Sequence, residues 1–322
     1  MAGLFTMAKK EFLDIIGEKK FTLIFATLLI VTIVSAYQGG LQYAESQSTT
    51  GSASSPSTQG GPGGNAVFGS AQSLSRSLSS MIENFSLVGG ILAIAISFDT
   101  INNERQKGSL KTLLSYPIYR DSIVYGKYLG GLFAVTMVST VTFLASMGLF
   151  LSVTNIALTF DTITRLAVFF GMTLVYMAIF LAIGLLLSIT LPSPSISLLA
   201  SVIAWLASIQ LIPNVGYAIG QILYPVKMSI SSIGMPSFTQ QTGFTTIRAI
   251  ISAASPSTSY ESIVNSILTS SSLEFTSGSV TVKSIAVTDA LMTVLPNILY
   301  FVRLLIGIFA AAYVIFMRQE IR

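Results

Sequence analysis

Long apolar runs with at most one charged residue each alternate with polar stretches along the whole of this chain, at 21–38, 86–101, 129–153, 164–190, 194–213 and 296–317. A helix needs about 20 mostly apolar residues to cross a hydrocarbon layer, because its backbone polar groups must all be satisfied within the segment. The pattern therefore predicts six transmembrane helices in an all-α polytopic membrane protein. The second run is the shortest in its apolar part (FSLVGGILAIAISF), and residues 80–85 extend its helix past the hydrocarbon edge. Only TLPSPS separates the fourth run from the fifth, where Pro192 and Pro194 break the helix and predict a tight hairpin. No internal repeat is evident.

The polar stretches differ in character. Residues 1–20 place Leu4, Ala8, Phe12, Ile15 and Ile16 at helical spacing, with Lys9, Lys10, Asp14 and Glu18 on other sides. This predicts an amphipathic helix in the membrane interface, serving either as an anchor for the first span or as a docking surface. Residues 39–79 are rich in Ser, Gly, Thr and Gln, with almost no charge, and predict a flexible outer loop. Residues 214–295 predict a more ordered outer region, with short helices over YAIGQILYPVKM and SYESIVNSILTS and a small hairpin turning at Ser277-Gly278. Asn84-Phe85-Ser86 matches a glycosylation acceptor, but at the membrane edge it reads more simply as an unmodified helix start.

Composition sharpens the class. Of 322 residues 52% are hydrophobic and 9% charged, against about a quarter charged in soluble domains. The absence of cysteine and histidine removes disulfides and the usual transition-metal clusters, so no metal site and no nucleic-acid partner is expected. Basic residues are unevenly placed. One face holds Lys9, Lys10, Lys19, Lys20, Arg105, Lys107, Lys111, Arg120, Lys127, Arg318 and Arg322; the other holds Arg76, Arg165, Lys227, Arg248, Lys283 and Arg303. Eleven against six puts both termini in the cytoplasm of a multi-pass plasma-membrane protein. Val34-Ser35-Ala36 resembles a cleavage site, yet the charged lead and long apolar run favour a retained anchor.

The most charged segment lies between the second and third spans. Asp99 to Lys107 continues the second helix out of the membrane, Gly108 is placed to end it in the left-handed conformation, and Ser109 caps a short helix to Ser115. Pro117 resets the chain, and Arg120-Asp121-Ser122 opens the next span. Residues 102–128 thus predict a compact cytoplasmic elbow, although a plain charged loop would anchor the topology equally well.

The string ERQKGSLKTLLSYPIYRDSIVYGKYLG resembles the signature of type-2 ABC exporter permeases, in particular the branch that includes the permease for nitrous-oxide-reductase maturation. That pattern falls on Glu104, Gly108-Ser109-Leu110, Leu113-Leu114-Ser115, Pro117, Arg120, Gly126-Lys127 and Gly130. The resemblance extends to the entry helix, the six spans, the large first loop and Ser255-Pro256 with Tyr260; the eighty-residue second outer region departs from compact members. It implies a single permease domain that pairs with a second copy or a homologous permease and is bound by cytoplasmic ABC ATPase subunits carrying ATP and Mg. The first, second and fifth spans would form the seam. Glu104, Arg105, Lys107, Gly108, Leu110, Leu113, Leu114, Pro117, Arg120 and Lys127 would form the coupling surface. The sequence agrees on one point: its only Gly-Lys, at 126–127, has Asp121 where a phosphate-binding loop needs its first glycine and Tyr128 where it needs a hydroxyl of Ser or Thr. The chain itself is expected to be neither an enzyme nor a holder of cofactors.

Polar and small residues near the spans complete the candidates. Arg303 lies roughly 20 Å of helix rise from Arg318, either snorkelling or lining a cavity. Gln210, Asn214 and Asn297 sit near the same level, where amides bond between helices or face a pathway. Gly89-Gly90 suits close packing or an interface. An ion-coupled transporter needs midplane carboxylates, which the spans lack away from their ends; a non-transporting anchor or sensor is the other rival.

Overall fold

The computed structural model describes residues 2–52, 64–106, 108, 120–154, 159–225, 227–230, 236–239, 242–268, 271–276, 279–284 and 286–318. In chain order the helices are α1 (Ala2–Gly17), α2 (Lys19–Ser52), α3 (Gly64–Ser97), α4 (Asn102–Gln106), α5 (Arg120–Thr154) and α6 (Phe160–Thr190). After them come α7 (Pro194–Leu206), a π-helical turn (Ala207–Leu211) and α8 (Ile212–Leu223), then α9 (Thr242–Ala253), α10 (Pro256–Leu268) and α11 (Val287–Arg318). Six spans among the described residues are long and apolar enough to cross a membrane: Lys19–Ala44, Leu78–Gln106, Ser122–Thr154, Phe160–Thr190, Pro194–Leu223 and Val287–Arg318.

The fourth span, α6, is the axis of the bundle. It packs against α3, α5, α10 and α11, and Phe169, Tyr176, Met177, Phe180 and Leu181 are buried along it. Its two ends mark the two ends of the molecule. Arg165 and Ser188 lie 23 positions apart on it (188 − 165), about 35 Å of helix rise. Thr159 caps its start by accepting from the Thr162 N–H, and Leu191 closes it before Pro192. Ser193 then caps α7, whose first residue is Pro194, so the reversal is built as the prolines dictate.

Two expectations are corrected. The loop foreseen over 39–79 is helical over 39–52 and 64–79, and α2 and α3 pack along each other. Its composition is too polar to fold from a free chain, but a span at each side has already nucleated the helix, and extension costs far less than nucleation. The middle, 53–63, lies outside the described residues. Where the sequence predicts one hairpin within 214–295, the structure has two. Strands β1 (Lys227–Ile230) and β2 (Pro236–Thr239) form one antiparallel pair, and β3 (Ser271–Thr276) with β4 (Ser279–Ser284) forms another. The second hairpin is the one expected. Thr276 pairs with Ser279, leaving Ser277-Gly278, outside the described residues, as a two-residue connection.

The fifth span also runs past its expected end at Pro213. Proline has no N–H to give, so the carbonyl of Ser208, five residues earlier in the π register, has no helical donor. The Ser255 hydroxyl supplies one, 2.5 Å away. The residue just before α10 thus repairs the break and lets the span continue to Leu223.

Candidate functional site

At the end of the bundle marked by Ser188, three helices meet on one lysine. Lys127 of α5 is buried, and its Nζ lies 2.9 Å from Glu11 Oε1 on α1 and 2.9 Å from Glu104 Oε1 on α4. The lysine side chain is 2% exposed and the carboxylates 10% and 19%, so these bonds form where water is scarce and each charge depends on its partners. Glycines on the same turns of α5 make room for α1. A Cβ on Gly126 would meet Met7 at 2.7 Å, and one on Gly130 would meet Glu11 Cβ at 2.6 Å and the Ala8 carbonyl at 3.0 Å. The Gly-Lys-x-x-Gly of the sequence is therefore a seat for α1: two small residues one turn apart let the backbones approach, with a charge between them.

The other face of the elbow is tied to α6. Ser188 Oγ accepts from the backbone N–H groups of Ile101 (3.1 Å) and Asn102 (3.3 Å), the donors at the start of α4. Arg105 Nη2 donates to the Ile189 carbonyl at 3.4 Å. Gly108 has φ +72° and its N–H donates to the Arg105 carbonyl, the helix-closing conformation expected of it. Close by, Lys20 joins Asp99 (2.5 Å) and Glu18 (3.0 Å), so the starts of α2 and α4 are clamped as well.

Of the residues singled out for the coupling surface, Glu104, Arg105, Gly108 and Lys127 come together here. Arg120 opens α5, its side chain outside the described set, and Lys107, Leu110, Leu113, Leu114 and Pro117 lie outside the described residues altogether. Glu104 and Lys127 point at each other rather than away from the protein, so their direct role is to hold the elbow. Glu11 was not singled out, although an acid at 11 among Ala8, Phe12 and Ile15 sits in the apolar stripe of α1, the signal of a buried partner.

The opposite end is held mostly by neutral bonds, with one ion pair. Tyr176 and Tyr260 stack with ring centroids 4.7 Å apart. Tyr176 donates to the Ser86 carbonyl at 2.8 Å, and Tyr260 and Thr173 share a bond of 2.8 Å. Ser208 bonds Ser257 at 2.9 Å, and buried Arg165 bridges Asp161 and the Ile267 carbonyl, which ends α10. Helix α10 is thus wedged into the bundle rather than lying over it, with Tyr260, Ile263, Val264 and Ile267 buried. Burial raises the Glu261 carboxyl above its ordinary range, partly countered by a hydrogen bond with Ser86 and reinforced by Glu83.

The remaining candidates do not form one pathway. Gly89 and Gly90, foreseen as pathway or interface, are interior: a Cβ on Gly89 would strike Met177, and one on Gly90 would meet Trp205 Nε1 at 2.7 Å. Gly184 is equally tight against Ser97, so bulk at either position disturbs the protomer itself. Gln210 and Asn214 are exposed and bond each other at 3.4 Å. Arg303 is exposed on α11, and Asn297 borders an open cleft near Pro213.

The sequence model of the family described as "ABC-2 family transporter protein" matches residues 5–321, nearly the whole chain. No curated protein is similar enough to match.

Proposed function

The chain belongs to the ABC-2 family of transporter proteins and is an ABC transporter membrane subunit; from that premise we propose that it works as an exporter permease driven by ATPase subunits on separate chains. The narrower branch suggested by the elbow sequence is part of this proposal, as are the cytoplasmic placing of the α1 end and the pairing of two permeases. The observation that carries it is the Lys127 junction. One buried cation binds α1 and the elbow to α5, while Ser188 binds the elbow to α6. A push delivered to this end reaches two spans through short, water-poor bonds instead of being lost in a mobile loop.

The seam between permeases is narrowed by burial. Within the protomer 67% of the second span is already buried, against 28% of the first and 22% of the fifth. The second, foreseen as part of the seam, has little surface left to give; we keep the first and fifth, which the resemblance implies, and the last span, 11% buried, has free surface as well.

Two experiments test this. An ATPase should co-purify with the full chain, and Arg120→Ala should weaken that association while leaving insertion intact. Full association and substrate-stimulated hydrolysis in the variant would remove the elbow from the contact. For orientation, single cysteines at Ser57, Ser109 and Ser271 in this thiol-free chain should react with an impermeant reagent in intact cells at 57 and 271 only. Labelling at 109 with silence at 57 would reverse the topology.

A further inference from the structure

The cleft beside Asn297 has a chemistry of its own. It is an open cavity of about 460 Å³ between α9, α10 and the start of the last span, within the range of small-molecule sites. Arg248 is the charged residue in its wall. Among the described residues no carboxylate pairs with it, and its guanidinium lies 5.9 Å from the Tyr217 ring centroid, a contact that positions the group without neutralising it. Asn297 adds an amide on the facing helix.

The hydroxyls around this cation are oriented. Ser252 donates to the Ala249 carbonyl (3.2 Å) and Ser259 to that of Ala253 (3.0 Å), so their protons are spent on backbone and their lone pairs remain to accept. Thr258 lines the same wall with its hydroxyl oxygen turned away from the opening, and Arg248 itself is exposed to whatever enters.

We propose that this cleft binds a hydroxylated phosphate, of the glycerol-phosphate type. The anion meets Arg248 and the Asn297 amide, and the ligand's hydroxyls donate to Ser252 and Ser259. A zwitterionic choline phosphate has no hydroxyl to give these acceptors and brings a second cation towards Arg248. The site stands apart from the Lys127 junction and does not depend on the identity of any ATPase.

The chemistry has two sources, a lipid head group or a soluble polyol phosphate, and one measurement separates them. Native mass spectrometry of the full chain from nanodiscs should find phosphatidylglycerol retained over phosphatidylcholine by about tenfold, the loss expected when two neutral hydrogen bonds are removed. Displacement of that lipid by sn-glycerol 3-phosphate supports the soluble source; resistance to it supports the lipid. Arg248→Gln should lower retention of phosphatidylglycerol, whereas Arg303→Gln, outside the cleft wall, should leave it unchanged. Equal retention of the two lipids by the wild type, or retention of phosphatidylglycerol unchanged by Arg248→Gln, would overturn the assignment.

Discussion

A Lys127→Met chain should unfold at a clearly lower temperature than the wild type, read from the fluorescence of its single tryptophan, Trp205, which is buried. Methionine matches the length and apolar stem of lysine but leaves Glu11 and Glu104 facing each other in a nearly dry junction. Breaking a buried ion group by removing one member costs about 3–5 kcal/mol, because the remaining charge is neither solvated nor paired. Replacing the whole group by neutral side chains of like shape is far milder. The triple variant Lys127→Met, Glu11→Gln, Glu104→Gln should therefore regain most of the lost stability. If the junction also transmits force, the triple variant should bind its ATPase and still fail to couple hydrolysis to transport. An unchanged unfolding midpoint in Lys127→Met would mean that the junction holds nothing together.

Much of the fold was legible because a bilayer imposes a coarse rule. Long apolar runs have to be helices, and prolines between 190 and 195 have to reverse the chain. What the rule cannot see is context. Residues 39–52 and 64–79 looked like free loop because their composition was judged without the helices that feed into them. Pro213 looked like the end of a span, since the donor that rescues the Ser208 carbonyl comes from Ser255, 47 positions away. The hairpin at 271–284 was readable, as alternation and a Ser-Gly turn are local signals.

The junction shows the same division. Gly126, Lys127 and Gly130 were visible as a motif, yet only the neighbouring helix explains the spacing: the glycines receive Met7, Ala8 and Glu11, and the lysine pairs with what arrives. Arg248 gave no sequence signal at all. It is one cation among polar residues, and its interest comes from the cleft it borders and the lack of a carboxylate partner among the described residues.

Gly130→Ala should loosen α1 from α5, and the glycines of this chain supply their own controls. At Gly130 the added methyl meets backbone as well as side chain, with the Ala8 carbonyl at 3.0 Å and the Phe12 nitrogen at 3.2 Å. Backbone inside a helix cannot step aside, so α1 has to lift, at a cost of about 1–3 kcal/mol for overpacking. At Gly126 the nearest atoms are Met7 Cγ and Cβ, part of a flexible side chain, and Gly126→Ala should be milder. Gly148, on the same helix, has nothing within 4 Å, so Gly148→Ala should be neutral or stabilise by about 0.5–1 kcal/mol through helix propensity alone. Limited trypsinolysis reads the outcome at Lys9 and Lys10, which lie on α1 and are cut faster once that helix detaches. The expected order of cleavage is Gly130→Ala fastest, then Gly126→Ala, with Gly148→Ala indistinguishable from wild type. Equal rates for the 130 and 148 variants would show that α1 does not need its seat on α5, and the transmission route through Lys127 would fall with it.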